Sequence, residues 1–387
     1  MTGVESTKAM PSAIPTPIQI AQALERRVIG QKEAIREIAV AMAKKLAKLK
    51  VGNILMIGSS GSGKTTLMRG VEALLAQNAA LASRSTLVRV HASILGEEAE
   101  QGRPGEKLIR RLLERARQQL GPDAPVESLI EQASQGLVFV DEIDKIRSVV
   151  GGQPNIPGIR AQEALLTLIE NEAVPFVLPD WAGGREVVID SSGLLFICAG
   201  AFEGLYDSVF ERITTGRDKG ALKPVTVWEE GQVREELQFV LREWLKHEDL
   251  FEYGITPQFL SRFDAVVLLE NLDEDALYKI FTEGADSSLR QTGAYFQTLG
   301  VKLELTPAAA RRIAKEAARQ PRLGARALKE IFRRVVSPYE FDPRPATTAG
   351  GVLRIDVPDV QKALAKLRGG ESVTSSAGWE SSRGPMS

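Results

Sequence analysis

Cysteine is almost missing from this chain of 387 residues: Cys198 stands alone, so no disulfide can staple the fold from within. Histidine is nearly as scarce. With His91 and His247 as its two histidines, the chain lacks the donors of a protein-built zinc site, and its thiol-poor composition points to a reducing, cytoplasmic setting. Neither sign of charge is in excess. The 49 Lys and Arg residues nearly cancel the 50 Asp and Glu, which excludes a global basic field for nucleic acid and the acidic surplus of disordered chains. Any charged partner must therefore be met locally. Long hydrophobic runs are absent too: none approaches the ~20 residues of a membrane span. The opening MTGVESTKAMPSAIPTP lacks the charged start and apolar stretch of a signal peptide, so a soluble intracellular protein with no membrane partner is expected.

What is present is enough for a packed fold. Apolar residues make up 43% of the chain, and its length exceeds one ordinary core, which predicts two ordered domains with tails. Residues 1–15, rich in Ser, Thr and Pro, read as a flexible lead, and residues 368–387 as a disordered tail. In QKEAIREIAVAMAKKLAKL, residues Ile35, Ile38, Met42, Leu46 and Leu49 recur at helical spacing, with Lys44, Lys45 and Lys48 outside the stripe. NILMIG (53–58), TTLMRGVEALLAQ and LVRVHA (87–92) then read as strand, helix and strand, a βαβ unit. Further apolar runs at GLVFVDE (136–142), VVID (187–190), LLFICAGAF (194–202) and AVVLLE (265–270) alternate with helical stretches. The fold class this predicts is α/β, a largely parallel sheet flanked by helices over residues 16–272. From 273 to 367 the order becomes helix, strand, helix, helix, strand, helix, a small α+β domain.

The sharpest motif is GSSGSGKTT: Gly58, Ser59, Ser60, Gly61, Ser62, Gly63, Lys64, Thr65 and Thr66 satisfy G-x-x-x-x-G-K-[ST]. Glycines let the backbone curl until successive amides face phosphate oxygens; Lys64 reaches the β- and γ-phosphates, and Thr65 offers a hydroxyl to Mg2+. A Gly/Ser linker would share the composition, but here a strand precedes the run and a helix follows it, aiming its positive end at the same anion. LVFVDE ends a buried strand in Asp141 and Glu142. Taken alone, that is as much a solvated strand end as a site. Beside a phosphate loop, Asp141 can join the magnesium shell and Glu142 can polarise a water for attack on the γ-phosphate. Arg262 and Arg326 are either solvated surface arginines or groups that stabilise the charge of phosphoryl transfer; spacing does not choose between them.

In order along the chain, PTPIQIAQALERRVIGQKEA, GSSGSGKTT, VFVDEIDKI, ALLTLIE, LLFICAGAF, ITPQFLSRF and GARALK resemble the AAA+ ATPases, and among them the ClpX-like (Clp/Hsp100) unfoldases, from about residue 15 to 335. The resemblance implies a phosphate-loop large domain followed by a small lid domain, ATP and Mg2+ as ligands, and adenine contacts from Val28 and Ile29. It further implies that Arg262 is an arginine finger completing a neighbour's site, that Arg326 is the sensor arginine of the small domain, and that the chain forms a homohexamer whose central loops drag a polypeptide substrate.

Four departures qualify the likeness. The family's four-cysteine zinc domain has no counterpart. RITTGRDKGALKPVT stands where an Ile-Gly-Phe loop docks on ClpP-type peptidases, which counts against such docking. The aromatic pore motif Gly-Tyr-Val-Gly is matched by GRPG, with Arg103 and Pro104 in place of Tyr and Val, and WAGGREV (181–187) replaces a longer basic pore-entrance loop. Arginine grips through charge and hydrogen bonds rather than apolar contact, and proline stiffens a loop, so a weaker or more selective puller is expected.

A nucleic-acid motor is the rival reading, resting on Arg103, Lys107, Arg110, Arg111, Arg115 and Arg117. Against it, Leu108, Ile109, Leu112, Leu113 and Ala116 form an apolar stripe that leaves the arginines as its solvated face, and few aromatics accompany them for base stacking. An ATP-switched scaffold is the other alternative, and Glu142 and Arg262 argue for turnover instead.

Overall fold

The computed structural model describes residues 14–77, 81, 85–101, 105–170, 173–215, 224–229, 232–237, 239–348 and 350–370. The chain divides into two compact units, the first ending at Glu270 and the second beginning at Asn271.

Unit 1 is built on β1 (Asn53–Ile57), β2 (Leu87–His91), β3 (Leu137–Asp141), β4 (Leu195–Gly200) and β5 (Phe263–Leu268). They pair in the order β5-β1-β4-β3-β2, every pair parallel. The three inner strands read as nearly unbroken apolar runs because both faces are covered, whereas the edge strands β2 and β5 expose Arg89 and Asp264; successive side chains divide between two cores. Ile54, Met56, Leu137, Phe139, Leu195 and Ile197 join one core, with α1 (Pro17–Glu25), α2 (Lys32–Leu46) and α3 (Lys64–Ala76). Leu55, Ile57, Val138, Val140, Phe196 and Cys198 join the other. Its helices are α4 (Ala92–Glu100), α5 (Glu106–Leu120), α6 (Val126–Ser134), α7 (Ile156–Glu170) and α8 (Leu205–Thr215). The apolar stripe of α5 is buried as its spacing predicts. Cys198 is fully buried, and desolvation pushes its thiol up, well out of the reactive range.

Parallel pairing gathers the C-terminal ends of the strands at one edge. In register, Ile57 lies opposite Gly200 and His91 opposite Asp141. That edge is where a doubly covered sheet receives a ligand.

Two expectations need correcting. The VVID run lies outside this sheet: Glu186–Ile189 pairs antiparallel with Val174–Val177 as a separate hairpin. At the end of α2 the stripe also shifts, because the helix stops at Leu46 and Lys48 turns left-handed (φ 58°). Leu49 is thereby left 59% exposed, while Lys45 is buried.

Unit 2 contains α9 (Glu274–Glu283), α10 (Ser288–Thr298), α11 (Pro307–Ala318), α12 (Ala325–Phe341) and α13 (Val357–Gly370). Two strands, β6 (Lys302–Leu305) and β7 (Val352–Ile355), pair in parallel. Its core joins Leu277, Phe281, Ile313, Leu328, Phe332 and Val336. The helix Ser288–Thr298 was not legible in the sequence, since Phe296 is its one buried residue and no apolar stripe marks it. Most of the lead (1–15) and tail (368–387) lies outside the described residues. Among the described residues no helix is long and apolar enough to cross a membrane.

Candidate functional site

Where β1 ends, Gly58 turns the chain so closely that a Cβ would stand 2.7 Å from Leu269 Cβ and 2.8 Å from Ser62 Oγ. Its amide donates to Gly200 O of β4 at 3.2 Å. Gly61 (φ 75°) and Gly63 (φ 110°) occupy the left-handed region that curls the loop, and Ser62 N–H closes it on Ser59 O at 3.2 Å. Ser59 and Ser60 lie half-buried between these turns. Helix α3 follows at once. Its first backbone bond runs from Leu67 N–H to Gly63 O (2.8 Å), so the amides of Lys64, Thr65 and Thr66 stand ahead of the ladder at the positive end of the helix. Lys64 is buried and spans the loop, donating to Gly58 O (2.5 Å) and Ser59 O (2.9 Å). Ser62 Oγ is buried there with no protein partner. Leading amides, a cation held over the loop and an orphaned hydroxyl form a cradle that fits a polyphosphate.

The carboxylates converge on the same edge. Thr65 Oγ1 donates to Asp141 Oδ2 at 3.4 Å, although β4 lies between their two strands. Asp141 Oδ1 accepts the Glu142 N–H at 2.9 Å, and Glu142 itself is left-handed (φ 58°), a conformation that turns its side chain out of the strand direction. The Glu142 carboxylate is 56% exposed, with His91 Nδ1 3.9 Å away. Behind it, buried Asp144 accepts the Ala201 N–H (3.1 Å), and its Oδ1 sits where a Cβ on Gly200 would have to go (2.6 Å). Among the described residues no cluster of three His, Cys, Asp or Glu could hold a metal, so a cation at Thr65 and Asp141 would complete its shell with oxygens from outside the protein.

Val28 is buried beside the loop, its Cγ1 4.0 Å from a Cβ built on Gly63, and Ile29 is half-buried next to it. Arg262 stands elsewhere. It precedes β5, whose Phe263 pairs with Asn53 at the start of β1. The length of β1, about 13 Å at ~3.3 Å per residue, therefore separates its level from the phosphate loop. Asn53 ties this end together, donating to Arg262 O (3.1 Å) and accepting from Phe196 N–H (3.0 Å), while the Arg262 guanidinium pairs with Glu170 at the end of α7. Arg326 belongs to unit 2, exposed in the first turn of α12, its amide donating to Leu323 O (3.0 Å).

Arg103 and Pro104 lie outside the described residues. Their anchors do not. Buried Glu98 accepts the N–H groups of Gly105 (2.9 Å) and Lys107 (2.8 Å), and a Cβ on Gly105 would meet Leu168 at 2.5 Å. The segment RITTGRDKGALKPVT falls largely outside as well, at residues 216–223. WAGGREV forms the tip of the Val174–Ile189 hairpin, with the Arg117 guanidinium 4.5 Å over the Trp181 ring and Arg185 paired to Glu127 (2.9 Å).

Sequence reasoning missed Gln31, Asn53, Glu98, Asp144 and Glu170. Asn53 had a signal, a polar residue opening an apolar strand; Glu98 bonds nearby backbone amides, which leave no mark in a sequence, and Gln31, Asp144 and Glu170 act across distances that local patterns do not encode.

The AAA domain (Cdc48 subfamily) model matches residues 49–266, and the model of the C-terminal, D2-small domain of ClpB protein matches residues 272–339. The chain is 31% identical to ATP-dependent Clp protease ATP-binding subunit ClpX 3 of Methylococcus capsulatus, over 92% of this chain and 83% of that protein. It is 30% identical to ClpX of Bacteroides fragilis (85% and 77%) and 31% identical to ClpX 2 of Wolinella succinogenes (87% and 79%).

Proposed function

The chain belongs to the AAA domain family, in its ClpX branch, and from that premise we propose that it is an ATP-driven unfoldase acting on polypeptides. The observation that carries the chemistry is the meeting of Thr65, Asp141 and Glu142 at the mouth of the phosphate loop. The loop amides and Lys64 bind the β- and γ-phosphates, Val28 and Ile29 hold the adenine, and Arg326 is the sensor arginine by family likeness. Thr65 and Asp141 would hold Mg2+, which when bound neutralises phosphate charge. Glu142, exposed and turned out of its strand, draws a proton from water as the water oxygen attacks the γ-phosphorus in line. The bond from that phosphorus to the β–γ bridging oxygen breaks, giving ADP and inorganic phosphate.

Arg262 does its work in a second copy. A guanidinium at the opposite edge of the sheet serves its own phosphate loop poorly and a neighbour's well, which supports an oligomer with ATP at subunit interfaces, a homohexamer by family likeness. Loss of the γ-phosphate then changes how neighbouring subunits are held, and that motion reaches the Arg103–Pro104 loop through its Glu98 anchor. The polypeptide is gripped by charge and hydrogen bonds there, without a ClpP-type peptidase. The arginines of α5 are engaged locally: Arg110 with Glu106 (3.0 Å), Arg111 with Arg89 O (3.1 Å), and Arg117 with Trp181. That favours a solvated helix face over a nucleic-acid track. A cytoplasmic location completes the reading.

The test is a trap. Glu142→Gln should keep ATP binding, lower turnover by about 10²-fold or more, and retain bound polypeptide when purified with ATP. Retention of nucleic acid alone would remove the unfoldase reading, and unchanged turnover would remove Glu142 as the base.

A further inference from the structure

Gln31 is buried, yet it does nothing for the helix it opens. It precedes Lys32, the first residue of α2, and makes no side-chain cap there. Its side chain is committed elsewhere. Nε2 donates to Ser62 O of the phosphate loop (3.0 Å) and to Glu270 O (2.8 Å), while Oε1 accepts the Glu270 N–H (2.8 Å). Both donors and the acceptor of one amide are thus spent on two segments, and Glu270 is the last residue of unit 1.

The backbone is bent to serve this bridge. Gln31 is left-handed at φ 58°, directly after Gly30 at φ 77°. A non-glycine residue persists in that region where its surroundings over-determine it, and the three hydrogen bonds of this buried side chain do so here. The loop end of the bridge is the sensitive one, since Ser62 lies between Gly61 and Gly63, the two left-handed turns that shape the cradle. Next to it, Leu269 N–H bonds to Ile57 O (2.7 Å), so the segment before Asn271 is tied to both sides of the loop.

We propose that Gln31 is a positioning residue that couples occupancy of the phosphate loop to the hinge at Glu270, where the chain passes into unit 2. The proposal rests on the reading that the loop holds ATP. A phosphate drawing in the loop amides rotates the Ser62 peptide, and the Gln31 amide carries that rotation to both backbone groups of Glu270. Gln31 touches no reacting atom, so its loss should separate binding from its mechanical consequence.

Hydrogen–deuterium exchange of the full chain, with and without a non-hydrolysable ATP analogue and Mg2+, reads both ends of the bridge. In the parent, nucleotide should slow exchange at residues 58–66 and change it at 267–273. In Gln31→Met the first response should remain and the second be lost. Gln31→Glu keeps an acceptor for the Glu270 N–H but presents no donor to Ser62 when ionised. It should lose the same response, and it carries the test if the methionine variant does not fold. A response at 267–273 that survives both variants overturns the proposal. Loss of nucleotide protection at 58–66 in the variants overturns it too, by making Gln31 a residue of loop folding alone. No protection at 58–66 in the parent would instead overturn the ATP reading beneath it.

Discussion

Thr65 Oγ1 stands 3.4 Å from Asp141 Oδ2, so the helix after the phosphate loop and a strand two places away in the sheet meet at one polar point. A hydroxyl and a carboxylate that close supply two oxygens to a small divalent cation, which takes its remaining ligands from water and phosphate. Thr65→Ala and Asp141→Asn should therefore raise the Mg2+ concentration for half-maximal ATP hydrolysis by about 10-fold or more. Binding of Mg2+-free nucleotide should change little. A magnesium titration of ATPase rate decides the matter, and an unchanged requirement in both variants removes the assignment.

Arg262 makes a prediction about mixtures. Alone, Arg262→Ala should lower turnover by about 10³-fold, the usual worth of an arginine that stabilises phosphoryl transfer. Glu142→Gln protomers are also inactive but keep their arginine. If Arg262 acts across an interface, mixing the two inactive proteins creates sites with a parent Glu142 on one side and a parent Arg262 on the other, and activity returns. Mixtures that stay at the level of their components would put Arg262 in its own protomer's site, against its position at the far edge of the sheet.

How far the sequence led is clear from particular residues. The phosphate loop, Asp141 and Glu142 were legible because each follows an apolar strand, and parallel pairing sends all those strand ends to one edge. The buried stripe of α5 was legible for a similar reason, a period of 3.6 residues with five apolar members. Lys45 was misplaced: helical spacing put it outside the stripe, yet Lys45 is buried and its ammonium bonds to Gly193 O of a loop 148 residues away. Gln31 and Glu98 were invisible because their partners are backbone groups, which carry no mark in a sequence. A side chain that bonds a side chain leaves two clues; one that bonds a main chain leaves one.

Glu98 should control the segment at Arg103 and Pro104, proposed above to grip the polypeptide, without touching nucleotide. It is buried and accepts two amides where the chain returns from Arg103 and Pro104, and burial raises its carboxyl above the ordinary range. Glu98→Ala strands both N–H groups and should cost about 2–4 kcal/mol, two hydrogen bonds to a charged acceptor less what water recovers. Glu98→Gln keeps one acceptor oxygen and should cost less. In either variant ATP affinity should hold while trypsin cleaves faster after Lys107, the first tryptic bond beyond the resistant Arg103–Pro104 pair. Slow cleavage with normal unfolding curves would show that the loop does not depend on this anchor. Replacing Arg103 and Pro104 by Tyr and Val in the parent should strengthen pulling on a model substrate, and an unchanged rate would make the loop's chemistry irrelevant.

Lys45 provides the pH test. Desolvation pulls its ammonium from 10.5 down to about 8, because a buried cation loses more hydration than one carbonyl returns. The sign follows from proton counting. Below about 8 the lysine is charged in both folded and unfolded chains and the burial cost is fully present. As pH rises from about 8 to 10.5, the folded chain gives up its proton first, so stability increases with pH through that window. The total is on the order of 3 kcal/mol at 1.36 kcal/mol per pKa unit. Lys45→Met removes the cost at every pH. It should therefore be more stable than the parent at pH 7, and the gap should close toward pH 10.5, as read from thermal midpoints of the two proteins in matched buffers. A gap that is constant with pH would mean that Lys45 keeps its ordinary affinity for the proton, and that the Gly193 carbonyl compensates for burial in full.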